Sequence, residues 1–183
     1  MSVTDELLEH NARYAGRFDK GGLRAAPARG VAVVACMDAR LDVYRLLGLS
    51  EGDAHVIRNA GGVVSDDVVR SLMISQLLLG TREIVLVQHT DCGMMTFRDD
   101  DIKDRIEADT GLRPPFALEA FRDLEQSVRQ SIGRSRANPF IPLKDRVRGF
   151  VYDCATGLLD EVSPPTDDQP TRGPVPMDGP SSH

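Results

Sequence analysis

The sequence predicts an α/β domain: a mainly parallel central sheet flanked by helices, with a last antiparallel edge strand. Two observations carry this expectation. Val31-Ala32-Val33-Val34-Ala35 and Ile84-Val85-Leu86-Val87 are unbroken apolar runs, as expected of strands buried on both faces. Around them lie segments whose apolar residues recur three and four apart, so that strands alternate with helices.

Taken in order, Ser2 or Thr4 caps an opening helix that is expected to run to about Phe18. Gly21, Gly22 and Pro27 lead into the first strand, which ends at Cys36. A short helix, Val43 to Leu47, stops at Gly48, and His55 to Arg58 forms a second strand before Asn59-Ala60-Gly61-Gly62 turns the chain. A Ser65 hydroxyl cap, with Asp66 and Asp67 behind it, opens a helix that ends at Gly80. Its apolar residues cover more than one stripe, so both sides are expected to be covered, the second by another element or another subunit.

The third strand delivers Gln88 and His89 to its carboxyl end. Asp99 to Asp101 reads as a solvated helix start, with that helix closing at Gly111. Leu118, Phe121, Leu124, Val128 and Ile132 predict a long amphipathic helix over 117–135. Val147 to Cys154 and Leu158 to Val162, joined around Thr156-Gly157, form the last strand pair. Residues 1–162 are thus read as one domain with an N-terminal helical arm. The segment 163–183 holds six of the eleven prolines and reads as a disordered tail.

Composition narrows the function. The net charge is −6 without a clustered basic patch, which argues against a nucleic-acid partner and for a small-molecule substrate. No apolar run reaches the roughly 18–20 residues of a membrane span. Three cysteines cannot all pair, and the opening residues Met1 to Glu6 are polar, so free thiols in a reducing cytoplasm are expected.

Cys36 and the pair His89 and Cys92 follow two strands of the sheet. Ligands in open α/β sheets gather beyond the carboxyl ends of the strands, so the three meet if strands one and three are neighbours. Two thiolates and one imidazole fill three corners of a tetrahedral zinc site and leave the fourth open, the arrangement of a catalytic zinc. On a continuing extended segment Asp38 and Arg40 point the same way and form an ion pair. Asp91 is read as a turn residue between two ligands, and Cys154 as a small core or edge residue. His10, His55 and His183 have no ligand-like partners and are assigned surface or structural roles.

Cys36-x-Asp38-x-Arg40, Arg58-Asn59-Ala60-Gly61 and His89-Thr90-Asp91-Cys92-Gly93 resemble the motifs of β-class carbonic anhydrases, in particular the compact bacterial and mycobacterial-type members. The resemblance spans about Val31 to Val162. It implies zinc on Cys36, His89 and Cys92, a catalytic Asp38/Arg40 dyad, and a dimer, or dimer of dimers, with the N-terminal helix packed on the partner. The implied reaction is the reversible hydration of carbon dioxide to bicarbonate and a proton by attack of zinc-bound hydroxide. The chain has no tryptophan, which argues against the tryptophan-containing bicarbonate regulatory pocket of some bacterial members.

Two thiolates cancel the charge of the ion, so it acidifies water less than it would with three neutral imidazoles. Asp38 is therefore expected to accept a hydrogen bond from the attacking group in an open state, or to serve as the fourth ligand in a closed state favoured at lower pH. Two alternatives remain at this level: a hydrolase of carbon disulfide or carbonyl sulfide on the same zinc site, and a non-enzymatic, zinc-stabilised regulatory domain.

Overall fold

The computed structural model describes residues 2–164; the predicted tail beyond Pro164 lies outside the described residues. Ten α-helices and β-strands follow in chain order in the described residues: α1 (Val3–Ala15), β1 (Val31–Cys36), α2 (Val43–Leu47), β2 (Ala54–Asn59), α3 (Asp66–Leu79), β3 (Glu83–His89), α4 (Asp99–Thr110), α5 (Leu124–Ala137), β4 (Val147–Tyr152) and β5 (Leu159–Val162). The strands form one sheet in the order β2-β1-β3-β4-β5. Every pairing is parallel except the last, β4 with β5. The predicted architecture, including the neighbouring positions of strands one and three, is the one observed.

The sheet is buried on both faces because its central strands carry unbroken apolar runs, 31–35 in β1 and 84–87 in β3. On one face Val34, Ile84 and Leu86 pack with Val68 and Leu72 of α3 and Val128 and Ile132 of α5. On the other, Val33, Ala35 and Val87 pack with Leu41 and Val43, at the start of α2. Helix α5 lies so close to β4 that a Cβ on Gly149 would overlap Val128 Cγ1 and stand 2.9 Å from Ile132 Cδ1. Glycine is required there by packing rather than by backbone conformation.

Local expectations change at the end of α1, at the cap of α3 and at the start of the long helix. Helix α1 stops at Ala15, capped by Gly16, while Ser2 and Asp5 form a reciprocal capping box at its start. Ser65 occupies the N-cap position of α3, but its hydroxyl makes no capping bond. Helix α3 is covered on one side within the chain. Val68, Val69 and Leu72 are buried while Leu77 and Leu78 are exposed.

The long amphipathic helix begins at Leu124, capped by the Asp123 carboxylate, and not at Ala117. Asp99 is the reason. Its carboxylate accepts hydrogen bonds from the backbone N–H groups of Leu118, Glu119 and Ala120, at 2.7–3.2 Å, and holds that stretch out of the helix. Asp99 is thus a structural anchor rather than only a solvated helix start. Burial raises its pKa, the three N–H donors lower it, and the net shift is downward.

Among the described residues no helix is long and apolar enough to cross a membrane. Gly149→Ala is expected to destabilise the fold by about 1–3 kcal/mol through overpacking, read as a lower urea midpoint with an unchanged slope.

Candidate metal centre

Parallel pairing sets Ala35 opposite Val87, so β1 and β3 end side by side and deliver Cys36 and His89 to one edge of the sheet. Cys92 follows three residues after His89. The ligand atoms of Cys36, His89 and Cys92 all lie within 4.8 Å of one another, and all three residues are buried. A tetrahedral zinc with ordinary bond lengths needs separations of about 3.5–3.8 Å between sulfur and nitrogen donors, which this cluster accommodates.

The histidine shows which atom faces the ion. His89 Nδ1 lies 2.8 Å from the Thr90 carbonyl oxygen, which can only accept, so Nδ1 carries the proton. Nε2 is then a bare lone pair, fully buried, without a hydrogen-bond partner in the protein. An orphaned buried nitrogen facing two thiols is what a metal ion satisfies. The donor set fits zinc.

Backbone amides support the sulfurs. Burial pushes the Cys36 thiol up, but His89 and the N–H groups of Asp38 and Gly61 bring it down to about 7. Burial and the neighbouring Cys36 push Cys92 up to about 11, against the opposing N–H of Met94. For His89, burial acts downward, Cys36 and the Thr90 carbonyl act upward, and the net shift is up.

Asp38 stands beside this cluster, Oδ2 lying 3.7 Å from His89 Nε2. Arg40 grips its carboxylate at both oxygens, Nε to Oδ1 at 3.0 Å and Nη2 to Oδ2 at 2.9 Å. Together with the Arg40 backbone N–H, this holds the Asp38 carboxyl well below the usual carboxylate range. The route to this pair differs from the sequence expectation. The strand ends at Cys36, and the residues meet through a turn in which the Arg40 N–H donates to Asp38 Oδ1 at 2.9 Å. Arg40 also reaches Asp91, whose carboxylate and carbonyl it contacts at 2.8 and 3.0 Å. Asp91 turns the loop with φ 56°, as expected, and in addition tethers Arg40.

Other residues of the centre carried no assigned chemistry in the sequence. Cys154 lies after β4, its Sγ 3.5 Å from His89 Nδ1 and its N–H donating to Thr90 Oγ1. Nothing in its local sequence links it to His89; only the β3–β4 pairing does. Gly62, at φ +63°, rests on the strand ends so closely that a Cβ would meet Cys36 N and Val87 O at 2.7 Å. His55 is structural, its ring joining Ser75 Oγ at 2.8 Å.

A Cys2His cluster with a fixed carboxylate at its rim, on the carboxyl edge of a mainly parallel sheet, offers three protein donors to a zinc ion, the number that zinc enzymes use. The comparisons agree. Residues 31–131 match the carbonic anhydrase family. Beta-carbonic anhydrase 1 of Mycobacterium tuberculosis is 58% identical over 164 residues, covering 90% of this chain and 100% of that protein. The crystal structure of a carbonic anhydrase from Streptococcus mutans superposes with a TM-score of 0.83 at 41% identity, covering 89% of this chain and 99% of that one. A carbon disulfide hydrolase of Acidithiobacillus thiooxidans is 36% identical over 183 residues, covering 87% of this chain and 90% of that protein. The chain belongs to the β-carbonic anhydrase family, whose metal is zinc.

Cys36→Ala, His89→Ala and Cys92→Ala are each expected to lose zinc, measured as metal per chain after dialysis, because two protein donors cannot complete a buried site.

Proposed function

We propose that this protein catalyses the reversible hydration of carbon dioxide to bicarbonate and a proton at a zinc ion held by Cys36, His89 and Cys92. The observation that carries this reading is the orphaned Nε2 of His89, converging with two thiols beside a carboxylate already locked by Arg40. Zinc, when bound, supplies a Lewis acid that brings the ionisation of water towards neutral pH.

The protein residues do the rest. Thr90 keeps the His89 proton on Nδ1, so that the imidazole stays a neutral donor. Asp38, kept ionised by Arg40, accepts a hydrogen bond from the attacking water and turns the oxygen lone pair towards the carbon of the substrate. The same carboxylate, 3.7 Å from His89 Nε2, would be at hand as a further donor to the metal if Arg40 released it. Carbon dioxide is linear and small, so the reaction does not need the cleft of about 1010 Å³ that runs along α5 past Val63 and Phe121. Carbonic anhydrase is preferred over carbon disulfide hydrolase because the relative bearing the first name is 58% identical and the one bearing the second 36%.

Residues 1–162 act as one catalytic domain, and the working unit is a homodimer. Helix α1 has no buried residue, yet it presents Leu7 and Leu8 at 62% and 63% exposure. A lone helix of this length is marginal in water and draws its stability from packing, here against a second copy. Exposed Leu77 and Leu78 on α3 offer a further surface for a dimer of dimers. Free cysteines and a thiolate ligand pair suit a reducing cytoplasm.

Stopped-flow hydration of carbon dioxide, with and without a chelator, tests the activity; a chelator-insensitive rate or no rate at all would overturn it. Asp38→Ala should keep zinc and lose about 10²–10⁴ in kcat, the range for a positioned proton-handling group. Replacing Leu7 and Leu8 together by Glu should weaken dimerisation by at least about a hundredfold, given about 1.5–3 kcal/mol per buried Leu. Sedimentation velocity across a concentration series reads this directly.

A further inference from the structure

Of the Arg58-Asn59-Ala60-Gly61 motif only the Gly61 N–H acts on a metal ligand, yet Arg58 is tied to both halves of the site. Arg58 lies on β2, opposite Ala35, one residue short of the ligand Cys36. Its Nε and Nη2 donate to the Cys36 carbonyl at 3.0 and 2.8 Å, and Nη2 also donates to the Asp38 carbonyl at 2.6 Å. One guanidinium thus bonds the main-chain carbonyls of both residues that flank Met37.

This matters because regular sheet support ends there. The last backbone bond from β2 is Met37 N–H to the Asn59 carbonyl, 2.8 Å. Beyond it, the chain turns, and the Asp38 side chain is held by Arg40, which is itself half exposed. Arg58 is what ties the backbone of the turn to the rigid strand. The neighbouring Asn59 makes a separate clamp: its Oδ1 accepts from the Val63 N–H at 3.1 Å and its Nδ2 donates to the Val63 carbonyl at 2.8 Å, closing the glycine turn under Cys36.

We infer that Arg58 is a positioning residue that fixes the Asp38 carboxylate relative to the Cys36 thiolate by holding both main-chain carbonyls with one planar guanidinium. Its task is geometric and not simply one of charge. A lysine at this position keeps the charge but offers a compact ammonium in place of the fork that spans two carbonyls. The kinetic consequence rests on the carbonic anhydrase reading; the metal-site consequence does not.

The test compares Arg58→Lys, Arg58→Gln and Arg58→Ala in the full-length protein with the wild type. Each is expected to retain one zinc per chain while releasing it faster to a chelator. The visible ligand-field spectrum of the cobalt-substituted form should shift. For carbon dioxide hydration kcat should fall about tenfold to a hundredfold with KM little changed, as for a reacting group displaced by a fraction of an ångström to an ångström. Millimolar guanidinium should restore part of kcat to Arg58→Ala and none to Arg58→Lys.

The inference is overturned if Arg58→Lys keeps kcat within twofold of wild type and leaves the cobalt spectrum unchanged, since charge alone then suffices. If Arg58→Gln and Arg58→Ala fail to fold, Arg58→Lys decides through the same two readouts. If the wild type hydrates no carbon dioxide, the activity reading fails by itself, and the cobalt spectrum and chelator rate still decide the role of Arg58.

Discussion

The parallel pairing of β1 with β3 is the constraint on which the rest of the site depends. It brings the ends of two strands that are some fifty residues apart in sequence into register, and so sets a thiol beside an imidazole before any metal is present. The closeness of that arrangement shows at Gly62, whose missing side chain lets the following turn rest directly on Cys36 and Val87. Because β1 and β3 are buried on both faces by α3, α5 and the α2 region, the pairing is backed by the whole core.

Around this rigid pair the site balances charge. Two thiolates reduce the electrophilicity of a bound zinc, so a nearby carboxylate must remain available and correctly oriented. Arg40 meets that need from outside, bridging Asp38 and Asp91. An exposed ion pair in water contributes little to stability, so the value of this bridge lies in geometry and in keeping Asp38 ionised. Amide N–H groups of Asp38, Gly61 and Met94 aimed at the sulfurs act in the same direction as a metal, favouring thiolate over thiol.

Much of this was legible in the residues. The unbroken apolar runs disclosed a doubly covered sheet, and the positions of Cys36, His89 and Cys92 after two such runs pointed to the cluster that the structure brings together. The long helix starts later than its period suggests: Leu118 and Phe121 fit a helical repeat, but the carboxylate that binds this stretch comes from Asp99, 19–21 residues away. Asp38 and Arg40 were rightly paired but through the wrong local geometry, since a strand end and a turn can bring the same two side chains together.

Periodicity and spacing by themselves pointed to the fold class, to Cys36, His89 and Cys92 as candidate ligands and to the Asp38/Arg40 pair, because these depend on local pattern and on the rule that sheet ligands gather at strand ends. Only the tertiary structure decided that Arg58 holds the Cys36–Asp38 turn, that Asp91 shares Arg40, and that Cys154 touches His89. These contacts join residues on different strands and loops. Their existence is set by strand order and register, quantities that no stretch of sequence encodes on its own.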